Sequence, residues 1–382
     1  MTRKMRTMNK ALETTAEAGL ARKFMDSFPK TVLVGSVPSP MHTAVATVTK
    51  LPTDFTHRYG EYKMAVESTI ATALHDVEPN NLIEQMRHVL SNGGKRVRPI
   101  LTMLACGAVG GNPFYATMGG VVIEVLHNFT LVHDDIMDAA PLRRGLPTIH
   151  TKWNTSLAIL SGDAMMALAY KLLLKQYSLT PRFSECADLV TRAILEVCEG
   201  QVYDMEFQER DSISMADYTM MIEKKTARML ELCATLGTVL GNGSAREFAA
   251  MKTFARSVGI AFQILDDILD ATADAAALGK TIGGDIIEGK KTFLVTHALE
   301  HRSSMNANDT MLMDEFIRQR GLSPERAQAM IELFERNGTL QAGRDAITQY
   351  TEQAHRALDF LQPSEYRTML YHFSTMLLER CF

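Results

Sequence analysis

Apolar residues fall into helical spacing at about residue 61 and keep it to the end of the chain. GEYKMAVESTIATAL, NNLIEQMRHVL, GGVVIEVLHNFTLVHD, SLAILSGDAMMALAYKLLL, RFSECADLVTRAILEVCEGQVYDMEF, YTMMIEKKTARMLELCATLGTVLG, EFAAMKTFARSVGIAFQILDDILD and KKTFLVTHALEH place apolar side chains at i, i+3, i+4 and i+7. The alternation that marks a half-buried strand is nearly absent. Gly or Pro separates most segments, at Gly93–Gly94, Gly110–Gly111, Pro147, Pro181, Gly241–Gly243 and Gly283–Gly284. The pattern predicts an all-α protein, a large single-domain bundle of ten or more helices, without the fixed repeat of a solenoid.

Residues 1–60 break this pattern. They hold nine Lys/Arg against four Asp/Glu and a Pro-punctuated run, VPSPMH, so they read as an extension preceding a domain at 61–382. The basic opening MTRKMRTMNKALETTAEAGLARKF has the character of a plastid or mitochondrial transit peptide, though Glu13 and Glu17 argue against one; a plain tail on a cytoplasmic protein is the simpler expectation. With 46% hydrophobic residues the chain can bury a large core, and wholesale disorder is excluded. The net charge of −4 is unevenly spread, with 31 Lys/Arg against 40 Asp/Glu after residue 60, and an acidic folded part argues against a nucleic-acid partner. Five scattered cysteines without a CxxC pair suggest buried thiols in a reducing compartment. No run of about 18 uninterrupted apolar residues predicts a membrane span; the richest segment, at 155–174, is broken by Asp163.

The chemistry concentrates in two places. HDDIMDAAPLRRG puts Asp134, Asp135 and Asp138 at the end of an apolar helix, followed by Arg143 and Arg144. Asp134 and Asp138 are four apart and share a face; Asp135 lies about 100° round the axis, still able to converge on the same ion. One such cluster is more often a solvated helix face than a site. FQILDDILD repeats the spacing with Asp266, Asp267 and Asp270, again closing an apolar helix. Facing each other across a bundle, these carboxylates would raise one another's pKa values unless cations intervene. Magnesium suits them: it is hard, octahedral and usually completes its shell with water and phosphate oxygens. Lys95, Arg96 and Arg98 in SNGGKRVRP, Lys224–Lys225–Thr226, and Lys280, Lys290 and Lys291 in GKTIGGDIIEGKK supply the usual partners of phosphate. Singly each reads as a solvated charge; grouped, they point to two phosphorylated ligands in separate subsites.

The ordered set GGKRVRP, DDIMD then RRG, GQVYD, KT, FQILDDILD and GK before GGDIIEGKK resembles the trans-isoprenyl diphosphate synthases, the polyprenyl synthetase family. The resemblance implies an isoprenoid-synthase bundle around a central cavity and a prenyltransferase, joining isopentenyl diphosphate head-to-tail to an allylic diphosphate. It implies that Asp134, Asp135, Asp138, Asp266 and Asp267, with Asp270 more distant, hold magnesium on the allylic diphosphate, three ions with substrate bound, manganese substituting. Arg143, Lys225, Thr226, Gln263 and Lys280 would contact that diphosphate and the forming cation. Lys95, Arg98, His127 and Arg144 would bind isopentenyl diphosphate without metal. Gln201 and Asp204 would support the metal site, and Lys290 falls on a further basic position. Without the resemblance, His127 would read as a core histidine. Family members are commonly homodimers.

In this family the residues before the first cluster form the floor under the growing tail. Phe129, Thr130 and, a turn further down, Leu126 occupy those positions; one ring beside a small residue resembles enzymes that stop at geranylgeranyl, with farnesyl and longer products as alternatives. A class I terpene cyclase would need a different second motif, and a non-catalytic subunit of a heteromeric synthase would be expected to have lost a cluster. Removal of Asp134 or Asp267 is expected to abolish turnover and leave the fold intact.

Overall fold

The computed structural model describes residues 53–75, 77–91, 94–272 and 282–378. Residues 1–52, where the targeting expectation falls, and Lys280 lie outside the described residues.

The described chain is helical almost throughout, as its periodicity predicts. The helices are α1 (Thr53–Ala73), α2 (Asn80–Leu90), α3 (Val97–Ala108), α4 (Thr117–Met137), α5 (Thr155–Tyr177), α6 (Phe183–Gln208) and α7 (Met215–Ile222). They continue as α8 (Arg228–Leu240), α9 (Ala245–Thr272), α10 (Phe293–Glu300), α11 (Ala307–Gln319), α12 (Pro324–Arg336), α13 (Thr339–Leu358) and α14 (Glu365–Leu378). Residues 53–60, read from sequence as the end of the extension, are instead the first turns of α1. Phe55 and Tyr59, four apart, are buried on one face, so the folded domain starts before residue 61.

Two apolar clusters make the core. One gathers α1 to α6, α8, the first half of α9, the end of α13 and α14; the other gathers α7, the second half of α9, α10 to α12 and the start of α13. α9 runs through both, with Phe254 and Val258 in the first and Ile264 and Ile268 in the second. Its 28 residues place the second aspartate cluster at its far end, against the second core. Two helical stretches, 113–137 and 155–177, are long and apolar enough by composition to cross a membrane, a property they share with buried core helices. The first is packed inside the bundle, whereas α5 turns Ile159, Leu160 and Leu174 outward.

Among the described residues the one sheet is a hairpin, β1 (Leu142–Arg143) with β2 (Leu146–Pro147), antiparallel, Arg143 opposite Leu146. Arg144 and Gly145 take its two central positions at φ 54° and 76°, the positive-φ pair of a type I′ turn. Arg144, with a Cβ, holds that conformation at a cost of about 1–2 kcal/mol. RRG is therefore a turn that carries two arginines on opposite sides of a tight bend.

Candidate active site

α4 delivers the first aspartate cluster. It stops at Met137, and the Asp138 N–H donates to the Asp134 carbonyl at 2.9 Å. Asp134 and Asp138 line the central cleft. Asp135 lines neither of its lobes; its side chain is 6% exposed, and Arg143 Nε donates to its Oδ1 at 2.6 Å. A 100° step round the helix from Asp134 thus takes Asp135 into packed surroundings, one residue removed from the cleft through Arg143. Burial pushes its carboxyl above the usual range, against the pull of Arg143. Arg143 also reaches Asp134 with Nη2 at 3.3 Å, so it ties the hairpin to the end of α4.

The second cluster also buries its middle member, Asp267, but keeps it in the cleft wall. Asp266, Asp267 and Asp270 all line the cleft. Asp267 is 5% exposed and accepts from Gln263 Nε2 at 2.9 Å, Tyr218 hydroxyl at 2.7 Å and Phe293 N–H at 2.8 Å. Burial, with the Asp285 charge beside it, raises its carboxyl to about 7 despite those three donors. Asp270 accepts from the Asp285 N–H at 3.0 Å and so fixes the backbone there. Asp266, which lines both lobes, is the member turned most fully to the cleft.

The cleft has two lobes, about 600 Å³ and about 350 Å³. Leu131, Asp134, Arg143, Lys225, Thr226, Gln263 and Asp266 line both and mark where they join. The smaller lobe is polar, with Asp138, Asp204, Asp267, Asp270, Asp285, Lys290 and Lys291 added. Burial and the charge of Asp134 raise the Asp138 carboxyl, opposed by Lys290 and Lys225. Lys290 Nζ lies 3.2 Å from Asp285 and 2.7 Å from Glu288. Burial would lower its ammonium pKa, but those carboxylates and Asp138 hold it well above the usual value.

The larger lobe has a basic end and an apolar body. Lys95, Arg98, His127 and Arg144 line the basic end, brought together from the start of α3, the middle of α4 and the hairpin. Burial and the cations Arg98, Arg144 and Arg143 push His127 well below its usual pKa, leaving a neutral ring with one donor and one acceptor nitrogen. Arg96 belongs to a structural role instead: it is 3% exposed, bonded to Glu67 and Glu124 at 2.8 Å each, and caps the bend before α3. The apolar body is lined by Phe129 and Thr130 of α4, Val197, Val202 and Met205 of α6, Met229 and Leu230 of α8, and Phe262 of α9. Leu126, expected in the floor, is fully buried and lines neither lobe, because it packs into the core behind α4.

A π-turn, Glu223–Ala227, joins α7 to α8 and points Lys225 and Thr226 at the junction of the lobes. Lys225 Nζ meets Asp204 at 2.5 Å, and Thr226 hydroxyl donates to Gln263 Oε1 at 2.7 Å. Asp204 thus holds Lys225, and Gln201, three residues earlier on α6, lines the larger lobe. Gly200 lets α6 approach: a Cβ there would lie 2.4 Å from the Lys225 nitrogen. The sequence reading missed Gly200, Asp285 and Tyr218. Gly200 and Asp285 stand inside GQVYD and GGDIIEGKK, so the motifs held the signal; Tyr218 carries none, because its partner is 49 residues away.

The donor set fits a hard divalent cation only with outside help. Among the described residues no three His, Cys, Asp or Glu side chains gather closely enough to hold an ion. Carboxylates on two facing walls, Asp134 and Asp138 against Asp266 and Asp270, leave room for phosphate oxygens to complete a shell.

Comparison with known proteins agrees with this arrangement. A short chain isoprenyl diphosphate synthase of Methanothermobacter thermautotrophicus is 35% identical over 321 residues, 84% of this chain and 97% of the relative. A geranylgeranyl diphosphate synthase of Methanosarcina mazei is 33% identical over 315 residues, 82% and 94% of the two chains. The crystal structure of a geranylgeranyl pyrophosphate synthetase from Pyrococcus horikoshii superposes with a TM-score of 0.79 at 32% identity, covering 85% of this chain and 98% of that one. The polyprenyl synthetase family model matches residues 79–334, from α2 through both aspartate clusters to α12. The chain is a prenyltransferase that belongs to the polyprenyl synthetase family.

Proposed function

We propose that the chain condenses isopentenyl diphosphate with an allylic diphosphate in a magnesium-dependent reaction and stops at geranylgeranyl diphosphate. The observation that carries this is the two-lobed cleft: facing aspartate clusters in one lobe, a metal-free cationic end in the other, an apolar body between. Asp134, Asp138 and Asp266, with Asp270 behind, would hold magnesium, which would supply charge neutralisation to the departing diphosphate. Lys225, Arg143 and Lys290 add fixed positive charge around the same group. The allylic carbon–oxygen bond breaks there, and the Thr226 hydroxyl and Gln263 amide direct dipoles at the lobe junction where the cation forms. Lys95, Arg98 and Arg144 hold the second diphosphate, and neutral His127 adds one hydrogen bond without another charge. The double bond so placed attacks the allylic carbon, and a proton leaves to an oxygen of the released diphosphate. The apolar body excludes the water that would quench the cation. An elongation assay with labelled isopentenyl diphosphate, magnesium and each allylic primer tests the reading; no elongation with any primer would sink it.

Product length is argued from Phe129, which lines the apolar body beside Thr130 and packs edge-on against His133 at 5.0 Å between ring centres. Phe129→Ala opens the floor and is expected to shift product to longer chains. Leu126→Ala is expected to cost about 2–5 kcal/mol of stability and leave product length alone. Chromatography of the products decides, and an unchanged product from Phe129→Ala would place the floor elsewhere. Names of relatives support a twenty-carbon product, four of those at 33% to 41% identity being geranylgeranyl diphosphate or pyrophosphate synthases.

A homodimer is supported by the apolar side chains left outward on successive helices, Ile159, Leu160 and Leu174 of α5 with Leu195 of α6. Light scattering should give twice the chain mass; a monomer at micromolar concentration would exclude it.

A further inference from the structure

The π-turn Glu223–Ala227 is closed by the Arg228 N–H donating to the Glu223 carbonyl. Its extra residue shifts the register of α8 by about 100° relative to an uninterrupted helix. Nothing in α-helical hydrogen bonding fixes where such an insertion sits, yet Lys225 and Thr226 reach the lobe junction only with the insertion at this position. The side chains on the turn's other flank supply a fix. Glu223 is met by Arg256 Nη2 of α9 at 2.6 Å and by Arg228 Nη2 at 3.8 Å. Lys224 Nζ meets Glu199 of α6 at 2.5 Å. Arg228, the residue after the turn, meets Glu196 of α6 at 2.5 Å and also pairs with Glu231.

The turn is therefore held from both neighbours. Residues 223, 224 and 228 are tied away from the substrate to α6 and α9, while 225 and 226 face the cleft. Two close backbone approaches complete the seat: a Cβ at Gly200 would lie 2.4 Å from the Lys225 nitrogen, and one at Gly259 would lie 2.6 Å from the Ala227 Cα. Ion pairs of this exposure contribute little stability one by one. Their geometry is what they add. Arg228 and Glu196 have side chains only 17% exposed, so that pair joins two groups enclosed by packing, while the other two pairs each hold one enclosed member, Glu223 at 22% and Lys224 at 25%, to a more exposed partner at 43%.

We propose that Glu223–Arg256, Lys224–Glu199 and Arg228–Glu196 form a brace that sets the register of the π-turn and so positions Lys225 and Thr226 on the allylic diphosphate. These are positioning residues; none of the brace residues lines either lobe of the cleft. The inference rests on the reading of Lys225 and Thr226 as allylic-diphosphate contacts. An error of about 1 Å at such groups is enough to lower turnover by orders of magnitude.

The test uses the full chain and steady-state elongation with labelled isopentenyl diphosphate and geranyl diphosphate. Arg256→Met and, independently, Lys224→Met are expected to lower kcat/KM for the allylic substrate by about tenfold or more. The KM for isopentenyl diphosphate should stay within about twofold, since its subsite lies on α3, α4 and the hairpin. Arg256→Lys should restore most of the loss. In a Lys225→Met background the brace substitutions should add little further, the coupling expected of residues acting through one another. Unchanged kinetics in both brace variants, or equal losses for the two substrates, would overturn the brace while Lys225→Met remained impaired. Full activity of Lys225→Met would instead remove the active-site reading, and the brace with it.

Discussion

Asp134→Asn is expected to lower kcat by about 10³-fold with little change in melting temperature. Asp134 ends an apolar helix, lines both lobes of the cleft, and faces Asp266 across it. An amide keeps the size and one oxygen but removes the negative charge that a hard cation needs. The same change at Asp135 isolates the point. Its carboxylate lines neither lobe itself and is held by Arg143 Nε, and an amide oxygen still accepts that hydrogen bond, more weakly. Asp135→Asn should therefore lose no more than about tenfold, through a loosened hairpin. Radiolabel incorporation at saturating substrates, with melting curves for both variants, decides the matter. Equal losses would show that all three aspartates act on the same ion.

Helix content, the order of the elements and the two cleft walls were legible because each depends on local spacing. Apolar residues at i, i+3, i+4 and i+7 mark α4 and α9, and DDxxD at their ends needs only the helical repeat to put its first and last members on one side. What spacing does not carry is the environment of the middle residue. Asp135 and Asp267 hold the same place in their motifs, and both turn out buried, but one answers to Arg143 eight residues on and the other to Tyr218 and Phe293 on separate elements. The π-turn is invisible for the same reason. EKKTARML reads as continuous helix, and the insertion is specified by contacts to α6 and α9 instead of by its own residues. Leu126 fails as a floor residue because one helical position decides between cavity and core, finer than a motif offset resolves. Start-of-domain placement at 61 went astray on composition: Phe55 and Tyr59 stand among polar neighbours and give too short an apolar stripe to mark α1's first turns.

Asp267→Ala is expected to damage the fold as well as the chemistry, contrary to what the repeated motif alone suggests. The carboxylate accepts from three groups that share no element: Gln263 on α9, the Tyr218 hydroxyl on α7 and the Phe293 N–H at the start of α10. Tyr218 and Phe293 are buried, with the two rings edge-on at 5.9 Å, so their donors have nowhere else to turn. Each orphaned buried donor costs roughly 1–3 kcal/mol. Against this stands relief from burying an ionisable group whose carboxyl is already forced up to about 7. The orphaned donors outweigh that relief, and the expected net loss is about 3 kcal/mol. For a domain of about 320 residues the melting temperature should fall by about 4–5 °C. Asp267→Asn offers no rescue, because its amide nitrogen would face a donor at one of the two positions. Asp266→Asn is the contrasting variant: the neighbouring carboxylate lines both lobes, and its loss should remove turnover while the melting curve stays in place. Calorimetry of the two variants side by side separates them. Coincident melting curves would mean that Asp267 is a free ligand of the cleft, and that Tyr218 and Phe293 find other acceptors.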